Sequence, residues 1–251
     1  EKGFIFISNK EHLIPISKNK DYFDFDIADD LTKKLGHLLL QGWGSQSEER
    51  KINFNKWISR NSWIEDYATF VVIREDFNML PWWEWPKEFK IKNNKFLNSW
   101  NREKSDEILI EKLIQWHLDK QWKAIKNYAN SIHIKLIGDL PFYVSRDSAD
   151  VWSNKSLFSI FKNGELIFQS GVPPDYFSST GQLWGTPTYF WSKHKRTNFD
   201  WWRKRFKRQF ELMDLLRFDH FRGLAGYWRV NGNSGTAVFG KWINSPGRTL
   251  L

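Results

Sequence analysis

The chain contains no cysteine and only two methionines among its 251 residues. Without thiols it can form neither a disulfide nor a thiolate metal site, which fits a reducing compartment, and we expect a cytoplasmic protein. No stretch approaches the ~20 apolar residues that a membrane-spanning helix requires, so we expect no membrane partner. Phosphate-cradling glycine loops, dinucleotide fingerprints and HExxH metal motifs are also missing. We therefore expect neither a metal nor a cofactor.

Aromatic and basic residues are abundant instead. The chain is 41% hydrophobic and 18% aromatic, includes 16 tryptophans and carries a net charge of +9. The densest basic cluster, residues 203–208, is a candidate nucleic-acid footprint. The same stretch has helical spacing, with Trp201, Trp202, Phe206 and Phe210 able to face inward and the cations outward. This second interpretation predicts an ordinary surface helix and no nucleic-acid partner.

Helical periodicity dominates the first half of the chain. We predict helices over residues 27–40, 48–59 and, after a cap at Asn61 or Ser62, a third helix, within a mainly helical region at 20–100. The segment Trp82-Trp83-Glu84-Trp85 follows a proline and precedes another, which predicts a structured loop. Its rings either pack on the body of the protein or form a sugar platform, and packing is the simpler interpretation. A long amphipathic helix is predicted over 105–129.

Two predicted strands follow helices, and each ends in an acid. Residues 132–139 end at Asp139, and residues 215–219 end at Asp219, after predicted helices at 105–129 and 199–213. Helix followed by strand, twice over, indicates an α/β fold with parallel strands. In barrels of this class catalytic groups lie at the carboxyl ends of strands, where both acids fall. His133, inside the first strand and well before its end, is predicted to be a core or hydrogen-bonded histidine and not a catalytic one.

Arg217 and Asp219 form a charged pair at the end of the second strand, which we expect to be buried. Residues i and i+2 share a strand face, so the guanidinium should lie beside the carboxylate and keep it ionised. An ionised carboxylate cannot donate a proton, but it can act as a nucleophile or stabilise a developing cation. The alternative is a structural bridge that ties the strand end to its loop.

Residues 141–197, between the two strands, are predicted to be a long irregular region with a functional role. Its centre, residues 171–185, mixes prolines, glycines, short hydrogen-bonding side chains and aromatic residues. That composition suits the binding of polyhydroxylated rings.

Several of these segments resemble a known family. GDLPFYV at 138–144, DSADVW at 147–152, GVPPDYFSSTGQLWG at 171–185 and RFDHFRG at 217–223 are similar to motifs of the 4-α-glucanotransferases, also called amylomaltases or disproportionating enzymes. The resemblance implies an α-amylase-like (β/α)8 TIM barrel with helical and loop insertions. It also implies transfer of α-1,4-glucan segments, with α-1,4-glucans and maltooligosaccharides as partners.

The resemblance also assigns roles to individual residues. Asp219 matches the nucleophile of a retaining mechanism, Arg217 the arginine beside it, and Asp139 an acid that shapes the sugar site. Asp175, Ser178 and Trp184 match a mobile loop that lines the glucan cleft.

One catalytic group is missing from the match. Retaining transfer needs a second carboxyl group about 5 Å from the nucleophile. The resemblance places that glutamate after Leu251 and the first barrel strand before Glu1. We therefore expect residues 1–251 to be part of a catalytic barrel, incomplete and inactive alone. The alternatives are an α-glucan hydrolase on the same barrel or a non-catalytic glucan-binding remnant.

Overall fold

The structure, a computed structural model, describes residues 24–250; residues 20–23 of the predicted helical region lie outside the described part. The chain divides into two units. One comprises residues up to Val72 together with Asn98–Gln121, and the other comprises Ile73–Leu97 and the chain from Trp122 onward.

Ten α-helices and six strands are described between residues 24 and 250. The helices are α1 Phe25–Trp43, α2 Glu48–Arg60, α3 Trp63–Asp76, α4 Lys87–Lys90, α5 Asn94–Glu103, α6 Ser105–Ser131, α7 Ala149–Ser153, α8 Trp191–Arg196, α9 Asp200–Leu212 and α10 Gly247–Leu250. The strands are β1 Ile137–Leu140, β2 Phe168–Val172, β3 Gln182–Pro187, β4 Leu215–Phe218, β5 Gly226–Asn231 and β6 Gly240–Asn244.

The first unit is helical. α2 begins at the predicted residue 48 and α3 follows the predicted cap position Ser62, whereas α1 begins at Phe25, before the predicted start at residue 27. Asp24 caps α1 and Ser47 caps α2, because each side chain accepts a hydrogen bond from a backbone N–H three residues later. Gly36 lets α1 approach α6, since a Cβ there would lie 2.5 Å from the Ile110 side chain. The core of this unit contains Leu39, Phe54, Trp57, Ile64, Ile110, Leu113, Ile114 and Trp116.

The second unit contains a sheet of two parallel strands. β1 pairs with β4, with Asp139 opposite Arg217, so the predicted parallel α/β arrangement is confirmed for these two strands. The predicted start of β1 at residue 132 is wrong, because α6 ends in a turn in which His133 has φ 63° and the Ile134 N–H bonds the Ala129 carbonyl at 2.9 Å. His133 is exposed, so its predicted core position is wrong as well.

Residues 141–197 are less irregular than their composition indicates. β2 and β3 from this region join β5 and β6 in a four-stranded antiparallel sheet of order β3-β2-β5-β6. Gly171 makes the β2–β3 pairing possible, because a Cβ there would lie 2.3 Å from the Gln182 carbonyl oxygen. Gly171, one of the glycines that predicted a loop, therefore serves a close contact between strands.

The tryptophan-rich segment at residues 82–85 packs against its own unit. Trp82 and Trp85 are fully buried, and their indole N–H groups donate to the carbonyls of Arg146 and Leu80 at 2.7 and 2.9 Å. The Arg146 guanidinium lies 3.8 Å from the centre of the Trp83 ring. The packing interpretation is confirmed.

α9 differs in two positions from its predicted inward and outward faces. Trp202 is fully buried, but Phe210 is 55% exposed. Arg205 does not face solvent freely, because its guanidinium donates to the carbonyls of Pro141 and Phe142 at 2.6 and 3.4 Å. One cation of the basic cluster therefore fixes the segment that follows β1. No helix among residues 24–250 combines the length and apolar character needed to cross a bilayer.

Candidate active site

The carboxyl ends of β1 and β4 bring together the three charged residues that the sequence singled out. Arg217 donates from Nη2 to Asp219 Oδ1, and its Nη1 lies 3.6 Å from Asp139 Oδ2. The backbone N–H of Asp219 continues the parallel pairing by donating to the Leu140 carbonyl at 3.0 Å. The three side chains are 50–64% exposed, so one guanidinium holds two solvent-facing carboxylates at the strand ends.

The strand itself is less buried than expected. Leu215 is 48% exposed and Ile137 is 69% exposed. In the described part of the chain, β1 and β4 form a sheet of two strands, and the residues of one face, Ile137, Asp139, Leu215 and Arg217, are exposed.

Arg217 also determines the charge of Asp219. The hydrogen bond from the guanidinium holds the pKa of the Asp219 carboxyl below its ordinary value, and the His220 backbone N–H adds to the effect. The pKa of Arg217 is raised by the same hydrogen bond and by the charge of Asp139. Asp219 is thus an anion at neutral pH, as the i, i+2 spacing predicts.

The opposite face of β4 rests on aromatic rings. Phe218 packs against Phe206, Phe142 and Trp202, with ring centres 5.8, 6.1 and 6.3 Å apart. Trp202 and Phe142 are almost completely buried. This rigid base fixes the strand end from which Arg217 and Asp219 project.

His220 follows Asp219 and brings Trp184 to the strand ends. Its ring meets Trp184 edge to face at 5.0 Å and lies 5.9 Å from Tyr143. Burial lowers the pKa of His220, so the ring is neutral at pH 7. His220 and Tyr143 were not among the predicted site residues. The alternation of side chains along the strand indicates only that His220 points away from Asp219, and no local pattern predicts its contact with Trp184.

The other two predicted loop residues shape their own loop. Asp175 Oδ1 accepts hydrogen bonds from the N–H groups of Phe177 and Ser178, both at 2.9 Å, and Ser178 Oγ donates to the Gly181 carbonyl at 2.8 Å. These bonds present Tyr176 and Phe177 at the tip, 100% and 95% exposed. Trp184 lies on β3 and is 37% exposed. The structure therefore joins Trp184 to the strand-end cluster through His220, while Asp175 and Ser178 bond within residues 175–181.

The arrangement defines the available chemistry. An exposed carboxylate kept ionised by an adjacent guanidinium suits nucleophilic attack or stabilisation of a cation, and it cannot serve as a proton donor. The partly exposed Trp184 ring, in contact with His220, offers a flat apolar face to a ring-shaped ligand. Residues 24–250 hold no group of three or more histidines and acids placed to bind a metal ion.

Comparison with known proteins places the chain in a family. The sequence profile described as 4-alpha-glucanotransferase matches residues 7–251. The 4-alpha-glucanotransferase of Clostridium butyricum is 38% identical over 235 residues, which cover 93% of this chain and 48% of that protein. The 4-alpha-glucanotransferase of a Synechocystis strain is 43% identical over 194 residues, which cover 77% of this chain and 38% of that protein.

The fold has a close counterpart among solved structures. The amylomaltase from Streptococcus agalactiae, solved in complex with acarbose, superposes on this chain with a TM-score of 0.89 at 32% sequence identity. The superposition covers 99% of this chain and 50% of the amylomaltase chain. The α/β fold is therefore that of an amylomaltase, and the chain spans about half the length, or less, of the relatives it matches. By its match over residues 7–251, the chain belongs to the 4-alpha-glucanotransferase family.

Proposed function

We propose that the protein is a 4-α-glucanotransferase, which transfers α-1,4-glucan segments to the 4-hydroxyl of another glucan or of glucose. The observation that carries this proposal is the ionised Asp219 at the carboxyl end of β4, held by Arg217 in a chain of this family. An anion in that position can attack the anomeric carbon of a bound glucan, which breaks the α-1,4 bond, releases the reducing-end part of the glucan with its 4-hydroxyl and leaves the other part covalently bound as a glycosyl-enzyme. A second glucan then resolves the intermediate with retention of configuration.

Arg217 and Asp139 have supporting roles in this mechanism. Arg217 lowers the pKa of Asp219 and fixes the rotamer of its carboxylate. Asp139, 3.6 Å from the same guanidinium, shapes the sugar pocket. Neither Asp139 nor Asp219 is assigned to proton transfer, which in retaining enzymes belongs to a second carboxyl group about 5 Å from the nucleophile. We assign that group to a part of the protein outside residues 1–251.

The loop around Asp175, Ser178 and Trp184 lines the glucan cleft in this proposal. Its hydrogen bonds hold it in one shape, and its aromatic side chains offer stacking surfaces to glucose rings. We further propose that β1 and β4 are adjacent strands of a (β/α)8 barrel to which residues 1–251 contribute only part. Their parallel pairing and the acids at their ends support this assignment.

The complete gene product incubated with maltotriose tests the activity. A transferase yields glucose together with longer maltooligosaccharides. Asp219→Asn keeps the shape of the side chain and removes the nucleophile, so turnover should fall by several orders of magnitude while glucan binding persists. Retention of more than about a tenth of the activity would remove Asp219 from the mechanism.

The product pattern also separates the alternatives. Glucose and maltose without longer products would identify a glucan hydrolase. Binding of maltotriose without turnover by the complete gene product would identify a glucan-binding protein.

A further inference from the structure

His220 has an uncommon backbone conformation that the surrounding chain is built to hold. Its φ and ψ are 50° and 47°, in the left-handed region that few residues other than glycine adopt. The Gly223 N–H donates to the His220 carbonyl at 2.7 Å, which closes the turn. A Cβ at Gly223 would lie 2.9 Å from His220 Cδ2 and 2.8 Å from Phe142 Cδ1. The turn after Asp219 therefore leaves room for the histidine ring against Phe142.

The ring occupies the junction of three chain segments. It lies 5.0 Å from Trp184 on β3, and 5.9 and 6.1 Å from Tyr143 and Phe142, which follow β1. The Trp184 ring also contacts Tyr143 edge to face at 5.9 Å. His220 thus connects the end of the strand that carries Asp219 to the tryptophan of the loop region.

The contact depends on ring packing and not on hydrogen bonding. His220 Nε2 is buried and has no hydrogen-bond partner among the described residues. The indole N–H of Trp184 donates elsewhere, to Gln182 Oε1 at 3.2 Å. Burial and the charge of Arg222 both lower the pKa of His220, and together they outweigh the charge of Asp219, which raises it, so the ring is neutral at pH 7.

From this geometry we propose that His220 is a positioning residue that holds the Trp184 ring at the end of the strand that carries Asp219. The inference rests on the proposed function, because it gives Trp184 the role of a stacking surface for the sugar that Asp219 attacks. The backbone of His220 is continuous with Asp219, and its ring supports Trp184 edge to face. A shift of the histidine ring would therefore change the position of the indole relative to the carboxylate.

Two substitutions separate the ring from the backbone. Asparagine adopts left-handed conformations readily, so His220→Asn keeps the turn and deletes the ring. His220→Phe keeps a flat ring and removes both nitrogens. Both are made in the complete gene product, and circular dichroism checks that each is folded.

The first readout is the ¹H–¹⁵N signal of the Trp184 indole, identified by its disappearance in Trp184→Phe. It should move in His220→Asn and return close to its original position in His220→Phe. The second readout is the KM for maltotriose, which should rise about 2- to 12-fold in His220→Asn, the range that one edge-to-face aromatic pair supports, with a smaller change in kcat. His220→Phe should restore most of the KM.

Two results would overturn the proposal. One is an unmoved Trp184 signal and an unchanged KM in folded His220→Asn. The other is an equal loss in both variants, since the nitrogens and not the ring would then matter. If His220→Asn does not fold, His220→Phe decides by itself: a displaced Trp184 signal or a raised KM in that variant refutes positioning by ring packing. Absence of transfer by the unaltered protein would refute the proposed function, whereas the indole signal would still report on the His220–Trp184 contact.

Discussion

Gly181 and Gly185 offer a matched pair of substitutions in the proposed glucan loop. Both have left-handed backbones, with φ of 67° and 68°. A Cβ at Gly181 would lie 2.3 Å from the Val172 carbonyl oxygen and 2.9 Å from Ala237 Cβ, whereas a Cβ at Gly185 would meet nothing within 4 Å. Alanine therefore imposes the same backbone strain at both positions and a collision at only one.

The free energy of unfolding should separate the two variants. A Cβ on a residue with a left-handed backbone lowers the free energy of unfolding by about 1–2 kcal/mol, and this cost applies to both variants. The collision lowers the free energy of unfolding by about 1–3 kcal/mol more, and it affects only Gly181→Ala. The Val172 oxygen that it meets belongs to the backbone of strand β2 and cannot rotate away. We expect totals of about 2–5 kcal/mol for Gly181→Ala and about 1–2 kcal/mol for Gly185→Ala.

Thermal unfolding followed by far-ultraviolet circular dichroism measures the difference. At about 2–4 °C per kcal/mol for a chain of this size, Gly181→Ala should melt about 2–12 °C below Gly185→Ala. Maltotriose affinity should also fall in Gly181→Ala, because Ser178 Oγ donates to the Gly181 carbonyl and moves with it. Equal melting temperatures for the two variants would refute the close contact between Gly181 and β2.

Three further predictions concern the strand ends and the loop. Arg217→Gln removes the group that lowers the pKa of Asp219, so that pKa should rise. The acid limb of the pH profile of kcat/KM should therefore move to higher pH, and an unmoved limb would contradict the assignment of Asp219. Tyr189→Phe deletes a buried hydrogen bond from the hydroxyl to the Phe142 carbonyl at 2.5 Å. The free energy of unfolding measured in urea should fall by about 1 kcal/mol, and an unchanged value would show that the bond is not formed. Asp175→Ala removes the acceptor of two backbone N–H groups and should weaken maltotriose binding measured by calorimetry. Asp175→Asn keeps an acceptor and should bind maltotriose with nearly the original affinity. Equal affinities of the two variants would contradict the role of this turn.

Local rules were sufficient to predict α1, α2, α3, α6, α9 and the charged pair. Helix ends depend on caps and on apolar spacing within a few residues, so α2 and α6 begin at the predicted residues 48 and 105. The meeting of Arg217 and Asp219 follows from the two-residue period of a strand.

The antiparallel sheet and the start of β1 were not predictable from local patterns. Glycine is typical of loops, but Gly171 allows β2 and β3 to approach closely, and only the partner strands decide between the two outcomes. His133 sits in an alternating apolar pattern that indicates a strand, yet the helix before it ends in a left-handed turn there.

By itself, the sequence determined which residues are candidates for the chemistry: the ionisable groups at the ends of β1 and β4 and the aromatic loop that resembles a glucan-binding segment. The tertiary structure decided which of them meet. His220 contacts Trp184, 36 positions earlier in the chain (220 − 184), and Arg205 bonds the carbonyl of Pro141, 64 positions away. Neither contact has a local signature, because side-chain periodicity sets the direction of a residue relative to its own element, whereas the packing of separate elements sets what that residue touches.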